Sequence, residues 1–162
     1  MIHIQQYEDG DMDEIIALVL HCQNDGTRPL VSVEDQPELL HIREKYLASG
    51  GDFWVAKDED KVIGSIGLMN FGSGIGVLKK FFVYEEYRGE PYHLGQQLYG
   101  ELLAFAQARG IGTLILDTPK NTDRAHRFYE KSGFTKIEKE DLPVRFDYPY
   151  DDCDFFLLKL YE

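Results

Sequence analysis

The sequence predicts an α/β protein with a mixed, mostly antiparallel sheet of about seven strands and helices on both faces. Three observations predict it. Short alternating or apolar runs joined by tight turns fill much of the first half, which is the pattern of hairpins. Two amphipathic helices follow, separated by the near-continuous apolar run Gly112-Thr113-Leu114-Ile115-Leu116-Asp117-Thr118, the pattern of a strand buried on both faces. The resulting order is β-α-α-β-β-β-α-β-α-β-β, with no repeat, low-complexity tract or linker. At 162 residues the expectation is a single domain spanning residues 1–162.

Each element has a local reason. Ile2-His3-Ile4-Gln5-Gln6-Tyr7 alternates as a short strand does. Asp11 with Glu14 three residues on resembles a capping box, and Met12, Ile15, Ile16, Val19 and Leu20 carry a helix to about Gln23. Asn24 to Pro29 is a loop. A second helix is predicted with Asp35 near its start, Pro37 in its first turn and Gly50-Gly51 beyond its end; its apolar positions are Leu39, Ile42, Tyr46 and Leu47. Asp52 to Lys57 and Lys61 to Met69 form a hairpin around Asp58-Glu59-Asp60. A glycine-rich turn, Phe71 to Gly76, leads into a strand from Val77 to Tyr84. Leu94, Leu98, Leu102, Phe105 and Ala106 mark one face of the next helix, which Gly110 ends. After the buried strand come a helix from about Thr122 to Ser132, a short strand Phe134 to Ile137, a polar and aromatic loop from Glu138 to Asp152, and a last strand from Asp154 to Leu160.

The formal charge of −12 argues against nucleic acid, whose phosphates require Lys and Arg surfaces. It suits a cationic acceptor drawn in by electrostatic steering. No run reaches the roughly 18 apolar residues of a membrane helix, and the N-terminus lacks a signal-peptide pattern, so the expected compartment is the cytoplasm. Cys22 and Cys153 are the two cysteines; they read as reduced packing residues. His3, His21 and His41 lack ligand-like spacing, and no metal is assigned.

Two stretches carry the chemistry. In the first, the strand ending Phe81-Phe82-Val83-Tyr84 runs through Glu85-Glu86-Tyr87-Arg88-Gly89-Glu90-Pro91-Tyr92-His93 into the helix Leu94-Gly95-Gln96-Gln97-Leu98. A helix that opens just beyond a strand and a glycine loop presents free N–H groups and a positive dipole end, a place for phosphate. The second stretch is Ala125-His126-Arg127-Phe128-Tyr129-Glu130-Lys131-Ser132-Gly133-Phe134. It matches, position by position, the pattern Ala-x-x-Phe/Leu-Tyr-x-x-x-Gly-Phe, and the pair resembles the cofactor-binding half of the GNAT superfamily of N-acetyltransferases.

That resemblance implies a GNAT-like sheet, acetyl-CoA as cofactor and direct acetyl transfer to a primary amine in a ternary complex. It makes Tyr129 the catalytic candidate, the acid that protonates the departing coenzyme A thiolate. It makes the N–H groups of His93, Leu94, Gly95 and Gln96 the pyrophosphate ligands, with Arg88 close by. The loop Glu90 to His93 is two residues longer than the usual pattern and puts His93 where a glycine normally stands. The backbone of Phe82 or Val83 would hold the acetyl carbonyl. Phe128 belongs to the helix face that packs beside the cofactor. Asn121 or Thr122 caps that helix and also reaches the cofactor's amides. The strand residues Val77-Leu78-Lys79-Lys80 offer no carboxylate as general base, so Glu85, Asp117, His126 and Asp154 are the candidates. The loop Phe146 to Asp152 is a candidate wall of an amine pocket.

The acceptor is then a small-molecule or peptide amine, with a homodimer through exposed C-terminal strands one expected assembly. A non-catalytic acyl-CoA-binding module is the alternative, because of the long loop and the missing strand carboxylate. A protein binding some other nucleotide is a third reading.

Overall fold

The computed structural model describes residues 1–161. Seven strands form one sheet: β1 (Ile2–Gln6), β2 (Asp52–Asp58), β3 (Lys61–Asn70), β4 (Ile75–Val83), β5 (Thr113–Pro119), β6 (Thr135–Ile137) and β7 (Cys153–Lys159). Their spatial order is β1-β2-β3-β4-β5-β7-β6. All neighbours pair antiparallel except β4 and β5, which run parallel. The predicted fold class therefore holds.

Helix α1 (Met12–Gln23) lies on one face, where Ile15, Leu18 and Val19 pack with Tyr46, Phe53 and Val55. Helix α2 (Leu94–Ala108) covers the other face through Leu94, Leu98 and Leu102, which meet Ile63, Ile66 and Leu114. Helix α3 (Asp123–Lys131) joins that second core through Tyr129, against Phe134 and Phe156. Apolar residues at helical spacing on both sides of a sheet give two cores, and burying them is the main driving force of the fold.

The predicted second helix is not continuous. Its place is taken by two 3₁₀ turns, Val33–Asp35 and Pro37–Leu40, and one π-helical turn, Arg43–Leu47. Gln36 and His41 interrupt it with φ of −148° and −138°. Ser32 and Asp35 close a capping box on themselves, and Pro37 has no N–H to continue a ladder. The buried Gln36 side chain is engaged instead: it donates to Gln23 Oε1 at 2.6 Å and accepts from Lys80 Nζ at 2.6 Å. Tertiary hydrogen bonds win over the local helical pattern here.

The parallel pair positions the site. Its register covers only Ile75 to Val77 against Thr113 to Ile115. Beyond that point no ladder joins β4 to β5. The β4 edge from Leu78 to Val83 and the β5 end from Asp117 to Pro119 become the walls of a cleft.

Candidate active site

The cleft has a volume of about 440 Å³. One end is framed by Arg88, Gly89, Gly95 and Arg124, the middle by Phe81, Phe82, Val83, Phe128 and Tyr129, and the other end by Arg28, Lys79, Lys80 and Tyr150. A helix start flanked by two arginines, an aromatic tyrosine helix and a cationic end thus share one space.

At the first end, α2 begins at Leu94 with His93 as its N-cap in a left-handed conformation, φ +51°. The N–H of His93 donates to the Gly89 carbonyl at 2.9 Å. It is already used, so His93 is corrected from phosphate ligand to turn-closing residue, and it does not line the cleft. Leu94, Gly95 and Gln96 occupy the first turn, where backbone donors have no partner within the helix. These three amides are free at the helix start, and Gly95 borders the cleft. The two-residue extension bulges outward. Tyr92 N–H and His93 N–H both bond Gly89 O, Gln97 Nε2 donates to Tyr92 O at 2.8 Å, and none of Glu90 to His93 lines the cleft.

Arg88 is held at the same end. Its Nε donates to the Val83 carbonyl at 2.8 Å, which orients the guanidinium along the cleft wall. Arg124, on the first turn of α3, also lines the cleft, and burial together with the charges of Arg88 and Arg127 pushes its pKa down. Glu85 offsets only part of this, and neighbouring guanidinium groups of like charge favour an anion between them. Sequence reasoning missed Arg124. The signal was its place in Asn121-Thr122-Asp123-Arg124, one turn ahead of the tyrosine pattern.

In the middle, β4 carries a bulge against β3. The register shifts between Ser65 and Gly67, and Lys80 has φ +55°. Bulges re-aim strands beside sites. Tyr84 N–H bonds Ile63 O, so strand alternation directs the Val83 amide to the open edge, away from β3. Phe82 pairs with Ser65 across β3, so the alternation turns its amide inward. Its side chain lines the cleft. Of the two backbone candidates, Val83 has the geometry to meet a carbonyl oxygen.

Tyr129 lies on the cleft wall and is otherwise buried. Burial, with the nearby Asp117 charge, raises its pKa well above the ordinary tyrosine value. The phenol therefore keeps its proton throughout the physiological range. Phe128 packs edge-on against Phe81 and Tyr99, at 5.3 and 5.6 Å between centroids. Neither proposed cap uses its side chain to cap α3. Thr122 occupies the N-cap position, but its hydroxyl donates to Pro119 O at 2.7 Å and lies 2.9 Å from Thr118 Oγ1. Asn121 Nδ2 donates to Thr27 O at 2.7 Å, tying α3 to the loop after α1. Both residues line the cleft.

Of the four carboxylate and histidine candidates for a base, only Asp117 borders the cleft. Desolvation raises its pKa. His126 bonds Pro119 O and lies 3.9 Å from Asp154, which in turn faces Lys136; His126, Asp154 and Lys136 do not line the cleft. Glu85 is exposed on the turn after β4. Of the late loop, Pro149 and Tyr150 reach the cleft wall. Cys22 also borders the cleft, buried, with burial pushing its thiol pKa up. That environment makes an inert packing residue rather than a nucleophile.

The model of the acetyltransferase (GNAT) family matches residues 13–134. The chain belongs to this family. A solved acetyltransferase from Streptococcus agalactiae 2603 superposes with a TM-score of 0.93 at 34% identity, over 98% of each chain. A Salmonella typhimurium protein solved with acetyl-CoA has the same fold, with a TM-score of 0.72 at 18% identity over 99% of this chain and 95% of that one. Among curated proteins, the probable N-acetyltransferase camello of Xenopus tropicalis is 30% identical over 109 residues, 65% of this chain. The present chain spans about half of that relative's length, since the match covers 49% of it.

Acetyl-CoA is the cosubstrate of GNAT acetyltransferases, and the residues here fit it. Free first-turn amides, the half-buried Arg88 and the exposed Arg124 suit its phosphates, and the apolar β4 to α3 channel suits the arm that carries the thioester. In the described residues no cluster has the make-up of a metal site, and no helix is long and apolar enough to cross a membrane.

Proposed function

We propose that this chain acetylates a primary amine by direct attack on acetyl-CoA within a ternary complex, at the cleft between β4 and β5. The observation that carries the reading is convergence: the Val83 amide, Tyr129 and Asp117 border one space that also opens onto the free amides of α2. Bound there, acetyl-CoA supplies an activated acetyl group as a thioester.

The protein's part follows from the geometry. Leu94, Gly95 and Gln96 amides, with Arg88 and Arg124, hold the phosphates. Asn121 and Thr122 line the path of the arm, and Phe128 packs along it. Val83 N–H donates to the carbonyl oxygen, where negative charge grows as the amine nitrogen bonds the carbon and the carbon–sulfur bond breaks. Asp117 accepts the proton that the ammonium must lose to become a nucleophile. Tyr129 gives its phenolic proton to the leaving sulfur and regains one from solvent. Attack is direct because the one cysteine in the cleft is buried and protonated.

A non-catalytic module is the weaker reading on both of the features that suggested it. The longer loop turns out of the cleft, so it leaves the phosphate site open. The carboxylate absent from β4 is provided from β5 by Asp117. Thiol release measured across a panel of amines tests the activity. Tyr129→Phe is expected to lower kcat by about tenfold or more while coenzyme A affinity by calorimetry stays unchanged. Equal turnover in the variant removes Tyr129 from the acid role, and turnover on no amine removes the activity.

A further inference from the structure

The cationic end of the cleft has no task in acetyl transfer as such. Lys79 and Lys80, on the β4 bulge, have side chains only 4% and 3% exposed. Buried ammonium groups are costly unless compensated. Their compensation is thin. Lys80 Nζ donates to Gln36 Oε1 at 2.6 Å and lies 3.7 Å from Glu38 Oε1; Lys79 Nζ donates to the Asp147 carbonyl and lies 4.0 Å from that same Glu38 oxygen. Within 4.0 Å the two ammonium groups share one carboxylate, and that group, Glu38, does not line the cleft.

Arg28 faces the same end from the loop after α1, with its side chain 10% exposed. Its Nη2 is occupied by the carbonyls of Cys22 and Gln23, at 3.2 and 3.4 Å, and by Asp25 at 3.2 Å. Its Nε is buried with no partner. An orphaned guanidinium donor is expensive and asks for an acceptor. The protein carries a net charge of −12, yet it collects three cations here. Asp117 is the carboxylate that faces them from the opposite wall.

We propose that Arg28, Lys79 and Lys80 form a carboxylate subsite for the acceptor, so that the amine acetylated is an amino carboxylate of the amino-acid type. Its ammonium group meets Asp117, and its carboxylate meets the three cations. The two charges of a zwitterion thus match the two signs displayed across the cleft, whereas a polyamine would set a second cation against Lys79 and Lys80. The inference rests on the acetyltransferase reading for its chemistry, but the subsite itself can be tested apart from turnover.

The acceptors are L-glutamate, L-methionine, L-phenylalanine and L-lysine, each compared with its α-amide and its decarboxylated amine. At least one free acid is expected to exceed both counterparts by about tenfold or more in kcat/KM, the size of one charge-assisted hydrogen bond. In Arg28→Gln, KM for that acid should rise by a similar factor while kcat and the KM for acetyl-CoA change little, and the preference for acid over amide should shrink. Lys79→Met, with thermal unfolding as a check on folding, carries the same test if Arg28→Gln does not fold. Amides or decarboxylated amines used as well as the acids overturn the subsite and leave the acetyltransferase standing. If no amine turns over, calorimetry of wild-type protein with coenzyme A and each acid or amide decides: selective binding of an acid supports the subsite, and none overturns it.

Discussion

The role proposed for Asp117 rests on position, since its residue type is usually a solvated surface group. It lies on β5 just past the last pairing with β4, where the strands have parted and a side chain can face the cleft. Burial raises its pKa from the ordinary value, with the nearby Lys79 and Lys80 charges acting in the opposite sense. A base must be ionised to work, so the rate should rise with pH through this raised pKa and level off above it. Asp117→Asn is expected to lower kcat/KM by about a hundredfold and to abolish that acid limb. A variant with the same limb would place the base elsewhere. Nothing in the sequence separated Asp117 from Glu85, His126 or Asp154, because the difference between them is which wall each one occupies.

At the scale of elements, most strands and all three long helices were legible, since each carries an apolar period of two or about 3.6. The exception is the segment from Val33 to Leu47, whose helical spacing was real but whose backbone is broken so that Gln36 can meet Gln23 and Lys80. Spacing reports which side chains are buried, and it is silent on a buried polar layer that competes for the backbone. The phosphate loop was the reverse case. The extra residues obscured the pattern, while the physical requirement of three free amides at a helix start was met. A tight inter-element contact also had a glycine as its only mark. A Cβ on Gly67 of β3 would sit 2.7 Å from both Phe53 Cδ2 and Tyr46 Cε1, rings packed edge-on at 5.0 Å. Gly67→Ala should therefore destabilise the protein by about 1–3 kcal/mol in urea unfolding, while Gly100→Ala, with open space around it, should not.

Over the whole molecule, the net charge is −12, yet the cleft is lined by Arg28, Lys79, Lys80, Arg88 and Arg124 against Asp25, Asp117 and Asp123. The sequence showed the net charge and suggested a cationic acceptor, but it had no means of showing that Lys79 and Lys80 are internal. Their burial follows from two non-local facts, the divergence of β4 from β5 and the broken segment that brings Gln36 and Glu38 over the bulge. A stability measurement exposes this arrangement. Burial lowers the Lys80 pKa to about 8 from its ordinary value of 10.5, with Glu38 offsetting part of the effect. Between those two values the unfolded chain holds a proton that the folded protein has released, so folding stability rises with pH across that window. Below about pH 8 the charged Lys80 is a standing cost. Lys80→Met removes the titration, so the stability of the wild type relative to this variant should climb by about 2–3 kcal/mol between about pH 8 and 10.5. Other alkaline titrations are common to both proteins and cancel in the difference. Urea unfolding of the two proteins at matched pH gives the comparison, and parallel profiles across the window would mean that Lys80 is solvated and that the cationic end of the cleft is not held at a cost.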